Sequence, residues 1–364
     1  MKQRTLNFNT IIVIIALAII YLIPISTSTM AGKHFDVFSY TKLIFIPMAL
    51  LIVFYYRNLS VSNFILSLFI IVKTVLYGGN STSEIYLLSI FICLDYLIIN
   101  KDTINKRKVE RLFNFFIFFF LIQIVICSIR QGKIVSFIGD KNYLGYFIFL
   151  IYIYHSYNRK KSRWIWLLLG FLSLSRNYLV AVCFFWLFEW IIKIRVISIV
   201  TPNMIKIFWG ISQFLIIPLS IIYCNVFENA SYKYVYRVGL SRMIHFFDES
   251  NYLRFKVNEL VWETINLERL LLGFKEGEFA GLTLHPGKRL YPHNTILLIS
   301  VQMGILTVGI YIYQCFRLIK LFHGGKYLPF WMALGLYQLF LGPSSFYGIE
   351  LIIIFAVLLL TEEM

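Results

Sequence analysis

Two arginines stand where a phosphate group could be bound. Arg176 follows the stretch LSLS at the end of a short apolar run, and another apolar run begins directly after it. Arg254 lies in a segment with helical spacing and has no acidic residue at pairing distance, whereas Lys256 has Glu259 three residues further on. The planar guanidinium group donates hydrogen bonds in a fixed fork that fits phosphate oxygens. The structural alternatives, an interfacial anchor for Arg176 and a solvated helix face for Arg254, stay open at this stage.

His293 is the candidate catalytic base. It stands between Pro292 and Asn294, directly before an apolar run. A histidine at the start of a helix, at a boundary between water and membrane, can accept a proton or orient an acceptor hydroxyl near neutral pH. The alternative is a structural residue at the start of the helix, with Asn294 as the N-cap.

Two further arginines, Arg237 and Arg242, precede Arg254 in the same polar segment. Several arginines that face a membrane surface together could clamp a diphosphate, so both are candidate contacts for phosphate or glycan. Metal chemistry is not expected. His285 and His293 lack the spacing of a zinc site and the five cysteines contain no CxxC pair, so the sequence predicts no metal and no other cofactor.

The composition indicates what must position these residues. Of the 364 residues, 59% are hydrophobic and only 14% are charged, whereas a soluble domain has about 45–50% and about 25%. There is too little polar side chain to cover a water-soluble surface, which excludes a soluble enzyme. The sequence therefore predicts an all-α, polytopic integral membrane protein, because helices satisfy their own backbone polar groups in lipid.

About twelve apolar segments approach the length that a membrane crossing requires, which is about 20 residues. Nine precede a long polar segment and three follow it, which divides the chain into residues 1–224, 225–293 and 294–364. One segment, 164–175, is too short to cross alone and is either a broken helix or part of a re-entrant pair with 177–192. The predicted spans are 8–25, 42–56, 60–77, 84–99, 112–129, 143–157, 164–175, 177–192, 207–224, 294–313, 328–342 and 346–360.

The distribution of basic residues predicts how these spans are oriented in the membrane. With the N-terminus inside, 18 of the 34 lysines and arginines fall in short cytoplasmic segments, and nine of the others lie in residues 225–293. Cytoplasmic loops carry such an excess, so both termini are predicted to be cytoplasmic and the long loop extracytoplasmic. The net charge of +16 belongs to these loops and does not indicate a nucleic-acid partner.

Residues 251–271 of the long loop are predicted to form an amphipathic helix. Their apolar residues recur at mostly helical spacing, among them Leu253, Val257, Val261 and Leu267. The apolar face rests either on the membrane surface or on the other helices.

Four stretches resemble, in the same order, the motifs of the bacterial O-antigen polymerase and ligase family. They are GDKNYL at 139–144, LSLSR at 172–176, the region from Arg254 through Trp262 to LLLGFKEGEF at 270–279, and YPHNTILLISVQMGIL at 291–306. A large external loop before the last three spans is similar to that family as well. The chain departs from the family's motifs at Lys141, at Lys275-Glu276 and at Thr307.

The resemblance implies a glycosyltransferase that moves a glycan from undecaprenyl diphosphate to a sugar hydroxyl at the outer face of the bacterial inner membrane. Arg176 and Arg254 would stabilise the diphosphate leaving group, and His293 would act on the acceptor hydroxyl. The reaction would need no metal.

The resemblance also implies substrate contacts and partners. Asn142 and Asn294 stand in two of the motifs and would contact substrate, together with Arg237 and Arg242. The partners would be the lipid-linked oligosaccharide, the lipid bilayer, a flippase and a chain-length regulator.

Within the family a polymerase is favoured over a ligase, which transfers the glycan to lipid A-core. A flippase or other transporter is less favoured, because polarity is concentrated in one external loop and no internal repeat is visible. A non-catalytic assembly subunit is the third alternative.

Overall fold

The computed structural model describes a helical protein with one short β-hairpin. It describes residues 7–21, 37–77, 82–131, 141–194, 201–229, 249–275, 282–285, 288–290, 294–322, 325–340 and 348–362, together with Glu278 and Pro292. The helices are α1 (Phe8–Tyr21), α2 (Val37–Phe54), α3 (Val61–Tyr77), α4 (Thr82–Ile99), α5 (Lys106–Gln131), α6 (Lys141–Tyr157), α7 (Arg163–Leu172), α8 (Arg176–Lys193), α9 (Pro202–Phe214), α10 (Ile216–Asn229), α11 (Glu249–Thr264), α12 (Leu267–Leu272), α13 (Thr295–Met303), α14 (Ile305–Leu321), α15 (Leu328–Phe340) and α16 (Ile349–Leu359). The strands are β1 (Leu282–His285) and β2 (Lys288–Leu290).

Three stretches of helix among the described residues are long and apolar enough to cross a membrane. They are Thr82–Ile99, Lys106–Ile129 and Pro202–Asn229, the last of which runs through α9 and α10. Shorter apolar helices accompany them, including α1, α3 and α16. The prediction of a helical chain with apolar helices of membrane length is confirmed, and twelve crossings stay a prediction.

Two predicted spans are interrupted at a residue of positive φ. The segment 164–175 ends as a helix at Leu172, because Leu174 takes a left-handed φ of 55° and α8 begins at Arg176. The predicted span 294–313 is two helices, α13 and α14, separated at Gly304. A hydropathy profile locates an apolar segment, but it does not detect a break in the helix within that segment.

The described chain divides into two compact units. The first comprises residues 1–72, 81–173 and 345–364, and the second comprises residues 73–80 and 174–344. In the first unit α16 is buried on all sides and packs against α1, α4 and α6. A helix that is apolar all round belongs in the interior of a bundle. In the second unit α15 packs against α8 and α9, and α10 packs against α11.

The amphipathic helix of the long loop rests on α10. Its rings stack against those of α10, with centroids 4.3 Å apart for Tyr223 and Phe255 and 4.6 Å apart for Phe227 and Tyr252. Val257 and Val261 are fully buried in the same cluster. The apolar face is therefore covered by another helix of the second unit.

The predicted helix 251–271 is interrupted as well. Helix α11 ends at Thr264, and Asn266 starts α12 by accepting a hydrogen bond from the backbone N–H of Arg269 at 2.8 Å. Leu267, predicted on the apolar face, is 72% exposed as a result. Further along the chain, β1 and β2 form an antiparallel hairpin with Leu282 opposite Leu290. The sequence did not predict this hairpin.

Gly304 lies where two chain segments cross. Its φ is +82°, and a Cβ at this position would lie 2.1 Å from the carbonyl oxygen of Leu271. Gly273 has a φ of +80°, and a Cβ at this position would lie 3.0 Å from the backbone of Gln302. The backbone N–H of Phe274 donates to the carbonyl oxygen of Val301 at 2.7 Å. The end of α12 is thus fixed against the end of α13 without room for a side chain.

We expect Gly304→Ala to lower the free energy of unfolding by at least about 3 kcal/mol, from backbone strain and the clash together. Denaturation in mixed micelles measures this difference. The matched control is Gly309→Ala on α14, where an added Cβ meets nothing within 4 Å and the change should stay below about 1 kcal/mol. Equal effects of the two substitutions would contradict the crossing.

Candidate functional site

Arg176 is the first residue of α8. The chain turns at Leu174, whose φ is 55°, and Ser175 then caps the helix by accepting a hydrogen bond from the N–H of Tyr178 at 3.4 Å. The unsatisfied N–H groups and the dipole of a helix favour an anion at its N-terminus. The turn therefore places a guanidinium group where negative charge is already stabilised.

A hydrogen bond joins this arginine to the long loop. Nη2 of Arg176 donates to Oδ1 of Asn251 at 2.6 Å. Asn251 is in the first turn of α11 and is only 8% exposed. The short distance and the charged donor make this a strong hydrogen bond. The N-terminal turns of α8 and α11 are consequently held next to each other.

Arg254 is the second candidate arginine, and it lies on α11. It lies three residues after Asn251 on α11, a separation at which two side chains share one helix face. Both arginines are half-buried. The amide of Asn251 thus binds the guanidinium group of Arg176, and Arg254 follows Asn251 on the same face of α11. Two arginines in such an arrangement favour a ligand with two neighbouring negative charges.

The opposite side of α11 carries an ionic frame that holds the helix on α10. Lys256 makes ion pairs with Glu228 at 3.2 Å and with Glu259 at 2.7 Å, and the hydroxyl of Tyr252 donates to Glu228 at 2.6 Å. The hydrogen bond to Glu259 is the main reason that the pKa of Lys256 lies above its ordinary value. In the interior, Nδ2 of Asn258 donates to the hydroxyl of Ser220 at 3.2 Å. These contacts fix the position of α11, and with it the backbone of Arg254, along α10.

Asn294, predicted to contact substrate, is a buried helix cap in the structure. Its side chain has no exposed surface. Oδ1 accepts from the N–H of Leu297 at 3.0 Å, and Nδ2 donates to the carbonyl oxygen of Leu339 at 3.3 Å. The cap was the structural alternative for this position, and it ties the start of α13 to α15.

The remaining predicted residues divide into one that the structure describes and three that it does not. Asn142 is buried in the first turn of α6, within the first unit. His293, Arg237 and Arg242 lie outside the described residues. Among the described residues, no group of three or more His, Cys, Asp or Glu side chains could hold a metal ion.

Asn251 is a site residue that the sequence analysis missed. The available signal was its spacing, because an amide three residues before a candidate arginine shares that arginine's helix face. Lys73 is a charged residue with a structural role: its Nζ donates to the carbonyl oxygen of Gln302 at 2.7 Å, beside the glycine crossing.

A comparison with protein-family models, with curated proteins and with solved structures finds no match to this chain.

A double-mutant cycle on Arg176→Ala and Asn251→Ala should give a coupling energy of about 1.5–3 kcal/mol, because a hydrogen bond from a charged donor is lost. Unfolding in mixed micelles measures it. The control cycle uses Arg269 and Glu278, an ion pair at 2.6 Å with both side chains partly exposed, for which less than about 1 kcal/mol is expected. A coupling near zero for Arg176 and Asn251 would contradict the junction of α8 and α11.

Proposed function

We propose that this protein is a membrane glycosyltransferase of the surface-polysaccharide polymerase type. Its donor is an oligosaccharide linked to undecaprenyl diphosphate, and its acceptor is a sugar hydroxyl of another lipid-linked repeat unit. The observation that carries the proposal is the bond from Arg176 to Asn251, one turn before Arg254. Arg176 at the N-terminus of α8 and Arg254 in the second turn of α11 supply the charge and the hydrogen-bond donors that a diphosphate requires.

In the proposed reaction the oxygen of the acceptor hydroxyl attacks the anomeric carbon of the donor sugar. The bond between that carbon and the diphosphate oxygen breaks, and its electron pair stays on the diphosphate. Arg176 and Arg254 stabilise the charge that grows on the leaving group, which lowers the barrier because it acts most strongly in the transition state. The proton of the hydroxyl passes to His293.

His293 receives this role from its position in the chain. It directly precedes Asn294, whose buried amide joins α13 to α15. The amide of Asn294 then acts by positioning that helix and makes no contact with substrate.

The proposed arrangement of the chain in the membrane is the one that the sequence predicts. The chain crosses the bacterial inner membrane about twelve times, with both termini in the cytoplasm and the loop 225–293 outside. A flippase delivers the donor to the outer face, and a chain-length regulator acts on the growing polymer. The three membrane-length apolar helices support the membrane part of this proposal.

The first test is the gel profile of surface polysaccharide from a strain that lacks the gene. The proposal expects lipid A-core that bears a single repeat unit, because repeats are made and attached but not joined. Bare core, with long polymer retained on undecaprenyl diphosphate, would identify a ligase instead. Single lipid-linked repeats trapped on the cytoplasmic side would contradict the enzyme and indicate a flippase.

The second test returns variants to that strain. Arg176→Ala and Arg254→Ala should each lower polymer formation by about 100-fold, the effect typical of removing one donor to a developing anion, and His293→Ala should lower it as well. The matched control is Arg269→Ala, which removes a surface arginine paired with Glu278. With equal membrane abundance, polymer ladders that do not differ between the control and the other variants would contradict the assignment.

A further inference from the structure

An apolar groove of about 450 Å³ runs along α9 beside Phe316 of α14. Gly210, Ile211 and Phe214 line it, and Lys206 stands at one end. The groove exists because position 210 has no side chain: a Cβ there would lie 3.7 Å from the ring of Phe316. A methyl group would be tolerated at that distance, and a branched side chain would fill the space.

The surroundings of the groove are those of a lipid-facing surface. Ile207 and Ile211 are 61% and 57% exposed, on a helix that is part of the candidate span Pro202–Asn229. The nine steps between Lys206 and Leu215 correspond to a rise of about 14 Å along a helix. Half of the hydrocarbon core of a bilayer is about 15 Å thick, so the groove matches the depth of one leaflet.

The charge at the end of the groove is positive. Nζ of Lys206 lies 5.9 Å from the ring centroid of Phe316 and donates to Oδ1 of Asn203 at 3.4 Å. Arg317 and Lys320 follow Phe316 on α14, and the sequences of α9 and α14 contain no acidic residue. A ligand with an apolar chain and a negatively charged head complements this arrangement.

We propose that the groove binds a membrane phospholipid with an anionic head group. One acyl chain lies along α9 between Gly210 and Phe214, and the phosphate of the head group lies against Lys206. On the predicted orientation Lys206 is cytoplasmic, so the lipid belongs to the inner leaflet. The site is separate from the arginine cluster, and the proposal does not depend on the chemistry assigned to that cluster.

Titration of the purified protein with dioleoyl phosphatidylglycerol or dioleoyl phosphatidylcholine, followed by native mass spectrometry, tests the proposal. Wild type should retain phosphatidylglycerol in preference to phosphatidylcholine. Lys206→Gln should weaken phosphatidylglycerol binding about fivefold, the contribution of one cation near a lipid surface, and leave phosphatidylcholine unchanged. Gly210→Leu should weaken retention of both lipids, because the new side chain occupies the groove.

The matched control is Gly309→Leu on α14, where an added Cβ meets nothing within 4 Å, and it should bind both lipids as wild type does. A photo-activatable phosphatidylglycerol on wild type should crosslink within residues 201–216 or 313–321, a readout that needs no variant to fold. Equal retention of the two lipids by wild type, or crosslinks elsewhere, would overturn the proposal. A change of oligomeric state in Gly210→Leu without a change in lipid binding would also overturn it, because the occupant would then be a second copy of the chain.

Discussion

The hydrogen bond from Arg176 to Asn251 is the constraint on which the candidate site depends. Arg176 begins a helix because the backbone turns sharply at Leu174, and Asn251 lies in the first turn of α11 in the loop. Without this hydrogen bond, the positive ends of the two helix dipoles would not be held next to each other. With it, the first turn of α11 lies against the start of α8, and Arg254 follows on the next turn of α11.

The rest of the second unit maintains this geometry. Stacked rings and the ion pairs of Lys256 hold α11 along α10, so that the helix of the loop has a fixed register. The glycine crossing at Gly304 fixes the end of α12 against α13. Asn294 then connects the start of α13 to α15. The candidate site is thus supported by packing and by buried polar contacts, as precise sites require.

Much of the helical layout could be predicted, because apolar composition and helical periodicity are local properties of the chain. The breaks within the predicted helices could not be predicted from the sequence. Gly304 interrupts an apolar run because the backbone of Leu271 crosses it, and that contact is invisible to hydropathy. The sequence does not separate a helix cap from a substrate contact at Asn294, because the hydrogen bond from Asn294 to Leu339 depends on tertiary packing. Asn251 was missed because its partner is distant in sequence.

The most direct test of the account is the affinity of the purified protein for undecaprenyl diphosphate. We predict that Arg176→Ala and Arg254→Ala each weaken binding about tenfold or more, since each removes hydrogen bonds from a charged donor. The variant Arg269→Ala should bind as wild type does. Undecaprenyl monophosphate should bind more weakly than the diphosphate to wild type. Equal affinity of all variants for the diphosphate would contradict the claim that Arg176 and Arg254 together form its site.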